Sequence, residues 1–114
     1  TTKKNASIKV GKWRFVSFEG PHGGESTGVV DLIAIRKDHK TQKKPFKRGD
    51  LFEIVLIQVK GGNSSLRSIN EIARLRKLAR RYKACAIIAS WVPGKSPTFY
   101  DLCGNELDPK EIFK

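Results

Sequence analysis

An aspartate set into an apolar run is the first residue of this 114-residue chain that demands a chemical reason. Asp31 interrupts Val29-Val30-Asp31-Leu32-Ile33-Ala34-Ile35-Arg36, a stretch rich in β-branched residues and apolar on both faces, as a buried central strand is. A second run of the same character, Leu51 to Lys60, ends in Gln58-Val59-Lys60 before the Gly61-Gly62 stop. Side chains alternate along a strand, so Gln58 and Lys60 share one face. A carboxylate in such surroundings is costly unless it is paired or bound to a cation. Two arrangements meet that condition: an Asp31–Lys60 salt bridge across neighbouring strands, and a cation site. In the second, one anionic oxygen, one neutral amide oxygen and one ammonium gather in a small patch. Oxygen ligands of this kind suit Mg²⁺, with Mn²⁺ as a substitute, and Mg²⁺ keeps several waters and leaves room for a phosphate. Such an ion lowers the pKa of a water and neutralises charge on a scissile phosphate. The lysine orients that water or stabilises the extra negative charge of the transition state.

The elements that must position these residues follow from periodicity and punctuation. Lys12 to Phe18 alternates, with Trp13 and Phe15 on one side and Val16 and Phe18 on the other, and reads as a short strand broken by Glu19 to Gly24. The runs around Asp31 and Gln58 are the second and third strands. Between them, residues 37–49 carry Lys37, Lys40, Lys43, Lys44, Lys47 and Arg48 around Pro45 with no periodicity, a basic loop. Ser68-Ile69-Asn70-Glu71 is a capping-box sequence, in which serine and glutamate satisfy amides of the first turn of a helix. Leu66, Ile69, Ile72, Leu75, Leu78 and Tyr82 recur at helical spacing as its core face, and Arg67, Arg74, Lys77, Arg80 and Arg81 fall largely elsewhere. Ala84 to Trp91 is a further buried strand and Pro97 to Leu102 a shorter edge strand. Asp108-Pro109-Lys110-Glu111 opens a short helix. The expected architecture is α/β: a central mixed sheet of about five strands, flanked by helix on at least one face. A chain of this length fits a single domain, 1–114, with residues 1–11 expected to be flexible.

Charge points to the partner. Lys and Arg number 23 against 11 Asp and Glu, a formal net charge of +12 that calls for a polyanion. The 39% apolar share comes in ordered runs, which excludes a disordered basic tail. No apolar stretch approaches the roughly 20 residues that span a bilayer, and the start Thr1-Thr2-Lys3-Lys4-Asn5 lacks a signal-peptide core, so no membrane contact and a cytoplasmic location are expected. Cys85 and Cys103 form no CxxC pair and have no histidine at ligand spacing, which argues for reduced thiols and against zinc. His22 and His39 fall in loops, and no P-loop or nucleophile elbow is present.

Gly28-Val29-Val30-Asp31-Leu32-Ile33-Ala34-Ile35 followed by Ile57-Gln58-Val59-Lys60 resembles the active-site signature of the PD-(D/E)XK, or restriction-endonuclease-like, nuclease superfamily in a QxK variant. The Asp-Leu-Ile-Ala strand is similar to that of its Holliday-junction-resolvase branch, and the element order matches over residues 12–102. The resemblance implies a restriction-endonuclease-like core and a Mg²⁺-dependent deoxyribonuclease. It also implies Asp31 as metal ligand, Gln58 in the place of the acidic ligand, the Val59 carbonyl as a further ligand and Lys60 as the catalytic lysine. Two departures stand out. Gln58 replaces the usual Asp or Glu and removes one negative charge, and the usual N-terminal helix, which often brings a glutamate, is not evident before Lys12. Glu25, in the loop just ahead of the Asp31 strand, is the candidate compensating acid and metal ligand; its alternative is an ordinary solvent-exposed loop acid. Glu19 is a weaker candidate. Glu53 belongs to the opposite strand face from Gln58 and Lys60 and is excluded.

Substrate binding is expected from Lys40, Lys43, Lys44, Lys47 and Arg48 in the loop joining the two candidate catalytic strands, near one end of the site. Arg67 and Arg74 of the helix come next. Phosphate contacts of this kind position a nucleic acid without reading its sequence. The expected function is metal-dependent hydrolysis of DNA phosphodiesters, with DNA favoured over RNA and with a homodimer or partner subunit as company. The alternatives are a catalytically inactive nucleic-acid-binding module of the same fold and an RNA- or ribonucleoprotein-binding assembly subunit.

Overall fold

The computed structural model describes residues 8–18, 28–40, 43–61, 69–92 and 94–114. In chain order the elements are β1 (Ile8–Val10), β2 (Trp13–Ser17), β3 (Leu32–Lys37), β4 (Phe52–Gly61), α1 (Ile69–Tyr82), β5 (Cys85–Trp91), β6 (Thr98–Tyr100), β7 (Glu106–Leu107) and α2 (Pro109–Ile112). All strands join one seven-stranded sheet in sequence order. Neighbours are antiparallel except β4 and β5, which run parallel because α1 carries the chain back between them.

The mixed α/β sheet flanked by helix is as expected, and it is larger than the expected five strands. Residues 8–10 are not a flexible lead but a strand paired with β2. The two-residue turn between them holds Gly11 at φ 61, a conformation that tight hairpins require and glycine reaches without strain. At the other edge β7 extends the sheet by two residues. The second strand also starts later than its apolar pattern indicates. Gly28 takes φ 99, and Val29 and Val30 pack under α1 as a lead-in before pairing begins at Leu32.

Alternation divides the core into two layers. On one face Trp13, Ala34, Val55, Ile57, Ile87 and Ala89 are buried beneath Phe113 and Ile112 at the C-terminus. Phe113 meets Trp13, Phe15 and Phe99 edge to face, with centroids 5.6, 5.1 and 5.9 Å apart. Asp108 caps α2 by accepting from the Lys110 amide, and Pro109 fills the first turn. On the opposite face Val29, Ile72, Leu75 and Ile88 form a smaller cluster beneath α1. Leu75 is fully buried, a contribution of about 1.5–3 kcal/mol. The helix ends where Lys83 turns to φ 51 and the Ala84 amide bonds to the Ala79 carbonyl, closing the last turn. Its expected core face is too long at both ends. Ile69 is 84% and Tyr82 54% exposed. Leu66 lies outside the described residues.

Among the described residues no helix is long and apolar enough to cross a membrane. Cys85 and Cys103 are exposed and unbonded thiols.

Candidate active site

Pairing decides which side chains can meet. Leu32 lies opposite Ile57, Ile33 opposite Leu56 and Ile35 opposite Ile54, so one step before Leu32 the strand brings Asp31 opposite Gln58. The Asp31 amide donates to the Ile57 carbonyl and its carbonyl accepts from Phe18, each at 2.9 Å, which extends the ladder by one residue and fixes the aspartate backbone on both sides. With the parity of Ile33, the Asp31 side chain belongs to the α1 face, as do Gln58 and Lys60. The aspartate, the glutamine and the lysine therefore share one face at the carboxyl ends of β4 and β5. In open α/β sheets this end is where ligands bind.

The Asp31 carboxylate accepts from the Val59 amide at 2.8 Å, a contact that orients it across the end of β4. A carboxylate offers about four acceptor positions. In a strand the N–H and C=O of one residue point to the same edge, so the Val59 carbonyl also faces the Asp31 side. Gln58 is only 4% exposed, and its Oε1 has no hydrogen-bond partner among the described residues. A buried oxygen left in that state costs about 1–3 kcal/mol, which an ordered water, an ion or a ligand group would relieve. Lys60 reaches across to α1, where its Nζ lies 2.6 Å from Glu71 Oε1.

These donors fit a hard divalent cation: a carboxylate, an unpartnered amide oxygen and a main-chain carbonyl are all oxygen ligands of the class that Mg²⁺ and Mn²⁺ take. Among the described residues no three His, Cys, Asp or Glu side chains gather as a metal site, so an ion here would depend on the amide and the backbone as well as on carboxylates. Glu25 and Arg67 lie outside the described residues. Glu53 faces the other side, where it holds Arg36 at 2.8 Å.

The basic loop is placed differently from expectation. It joins the carboxyl end of β3 to the start of β4, whereas Asp31 precedes β3 and Gln58 and Lys60 close β4. Six residue steps of about 3.3 Å put its cations some 20 Å along the sheet from the candidate ligands. Lys40, Lys43, Lys44, Lys47 and Arg48 are exposed there, with Phe46 half-exposed among them. Arg74, exposed on α1 one turn from Glu71, is a further cation toward the candidate site's end.

Three further residues lie at this end that the sequence pattern does not mark as part of a site. Glu71 has a local explanation as a capping residue, yet its carboxylate meets Lys60. Ser90 pairs with Lys60 across β4 and β5 and so shares its face. Trp91, expected as a core or sheet-face residue, is 49% exposed beside Gly61. A cavity of about 570 Å³ lies farther along the α1 face, lined by apolar residues including Phe18, Ile33, Ile54 and Tyr82 and by none of the candidate ligands.

The fold is similar to that of a Holliday junction resolvase. The structure of Hjc, the resolvase of the archaeal hyperthermophile Archaeoglobus fulgidus, superposes with a TM-score of 0.51 at 18% sequence identity, over 81% of this chain and 66% of that chain. This chain thus spans just under two thirds of the length of Hjc. At that identity the likeness to Hjc establishes the fold. No protein-family model matches the sequence, and no curated protein matches it.

Proposed function

We propose that this chain is a divalent-metal-dependent nuclease that hydrolyses DNA phosphodiester bonds at the Asp31–Gln58–Lys60 end of its sheet. The observation that carries the reading is the unpartnered Gln58 oxygen, buried on the same face as the Asp31 carboxylate. The net charge of +12 supports a nucleic-acid substrate, and the likeness to Hjc supports branched DNA among the forms to test.

Asp31, Gln58 and the Val59 carbonyl would hold a divalent ion, which would supply Lewis-acid neutralisation of the scissile phosphate and acidify an adjacent water. The chain's own groups do the rest. The Val59 amide fixes the carboxylate of Asp31, so that little reorganisation remains when substrate arrives. Lys60 donates to a phosphate oxygen or to the attacking water and offsets the negative charge that builds as water adds to phosphorus. A new P–O bond forms to the water oxygen as one P–O ester bond breaks; the water gives a proton up to solvent, and the departing oxygen takes one from solvent. Arg74 and the loop cations hold the flanking phosphates.

A catalytically inactive binding module is the second reading, and the neutral Gln58 at the acid position favours it. Incubation with branched, supercoiled and single-stranded DNA in Mg²⁺ or Mn²⁺ separates the two. The proposal expects cleavage of at least one substrate, lost in Asp31→Ala and Lys60→Ala with DNA binding retained. Binding without cleavage of any substrate in either metal assigns the chain to the second reading.

A further inference from the structure

We propose that Glu71 is the second carboxylate of this cation site, supplying from α1 the negative charge that Gln58 does not supply from β4. The inference rests on the cation reading above and adds a ligand to it.

Charge gives the first reason. Asp31 contributes one negative charge, Gln58 none, and Lys60 opposes them, whereas hard divalent cations are commonly held through one or two carboxylates together with neutral oxygens. A second acid is expected close by. Glu71 lies on the stripe of α1 that faces the sheet, four residues before the fully buried Leu75 and seven before Leu78. An acid at the head of an apolar stripe points inward, and its Oε1 lies 2.6 Å from the ammonium of Lys60, which shares the β4 face with Gln58. The Glu71 side chain is 32% exposed, so solvent reaches it.

The unpartnered Gln58 oxygen is the independent sign that a ligand belongs here. A carboxylate in the first turn also has the helix dipole in its favour and completes a capping sequence, which is the local reason for a glutamate at this position. Those local roles do not require contact with Lys60. The ion pair brings the acid to the end of the sheet that holds Asp31 and Gln58. Helix and strand would then share the two negative charges of the site.

The test relocates the charge and reads Mn²⁺ affinity by calorimetry, without reference to cleavage. Glu71→Gln keeps the hydrogen bonds of a capping box, because glutamine serves there as glutamate does, so the variant retains its fold by circular dichroism. It is expected to weaken Mn²⁺ binding by about tenfold or more. Gln58→Glu in the Glu71→Gln background is expected to restore affinity to within about threefold of wild type, since it returns the charge to β4. Wild-type affinity in Glu71→Gln, with affinity lost in Asp31→Asn, overturns the role of Glu71 and leaves the cation site standing. Absence of Mn²⁺ binding by the wild-type chain, or wild-type binding in Asp31→Asn, overturns both.

Discussion

The β3–β4 pair has charged or polar groups at both ends, and the two ends treat them differently. At the loop end Arg36 lies directly opposite Glu53 and holds it at 2.8 Å, with its guanidinium 4.4 Å over the Trp13 ring and a further bond to the Lys114 carbonyl. Those groups are satisfied within the chain, and the result ties the C-terminus to the sheet. At the other end Asp31 lies opposite Gln58, and the buried Gln58 oxygen has no partner among the described residues. The contrast separates two uses of buried polarity. One end is closed by its own side chains, and the other keeps a buried amide oxygen without a partner among the described residues.

Substitutions at the two ends sharpen that contrast. The largest effect is expected for Lys60→Ala and Asp31→Ala, each lowering DNA cleavage by about a hundredfold or more in single-turnover assays while the fold persists. Arg36→Ala is expected to leave the cleavage step unchanged, and equal losses at both ends would erase the distinction.

How far this was legible beforehand follows from what each residue can signal locally. Asp31, Gln58 and Lys60 break apolar strand patterns, and period two assigns them a face without tertiary information, so their gathering could be expected from residue order. Glu71 could not be found that way. Its capping position accounts for it fully within the helix, and only the docking of α1 on the sheet brings it to Lys60. The two-residue β7 carries too little pattern to register as a strand, and the edge pairing of residues 8–10 depends on a turn rather than on their composition. The basic loop lies away from the polar residues for a reason of connectivity. An antiparallel connection lies at the end where β3 stops and β4 starts, and the polar residues lie at the opposite end.

The loop provides the next effect in size. Neutralising Lys43, Lys44, Lys47 and Arg48 together is expected to reduce DNA affinity and to lower the slope of log K against log salt by up to about 3–4, with the single-turnover rate at saturation kept. A fall in that rate instead would place the loop in the chemistry. Smaller again is Arg36→Ala, expected to cost about 1–2 kcal/mol in urea unfolding from the lost ion pair and ring contact. Gln58→Leu runs the other way: removing a buried unpartnered oxygen is expected to leave stability equal or higher by up to about 1 kcal/mol, while Mn²⁺ binding and cleavage are lost. A clear destabilisation would mean that the amide serves the fold.

The smallest expected effect lies away from both ends, in the β6–β7 turn. Hydrogen bonds from the Asn105 backbone and side chain, and from the Cys103 backbone, hold the Asp101 carboxyl below the usual carboxylate range. A lowered folded-state pKa adds stability that is complete above the unfolded value of about 4 and is lost as pH falls through the folded one. Asp101→Ala is therefore expected to flatten the acid side of the unfolding-midpoint profile, leaving cleavage at neutral pH unchanged.

Anomalous diffraction from a crystal soaked in Mn²⁺ tests the central claim most directly. The account predicts a peak within about 2.5 Å of both an Asp31 carboxylate oxygen and Gln58 Oε1. A crystal that binds Mn²⁺ only elsewhere, with Gln58 Oε1 satisfied by a protein group, would contradict it.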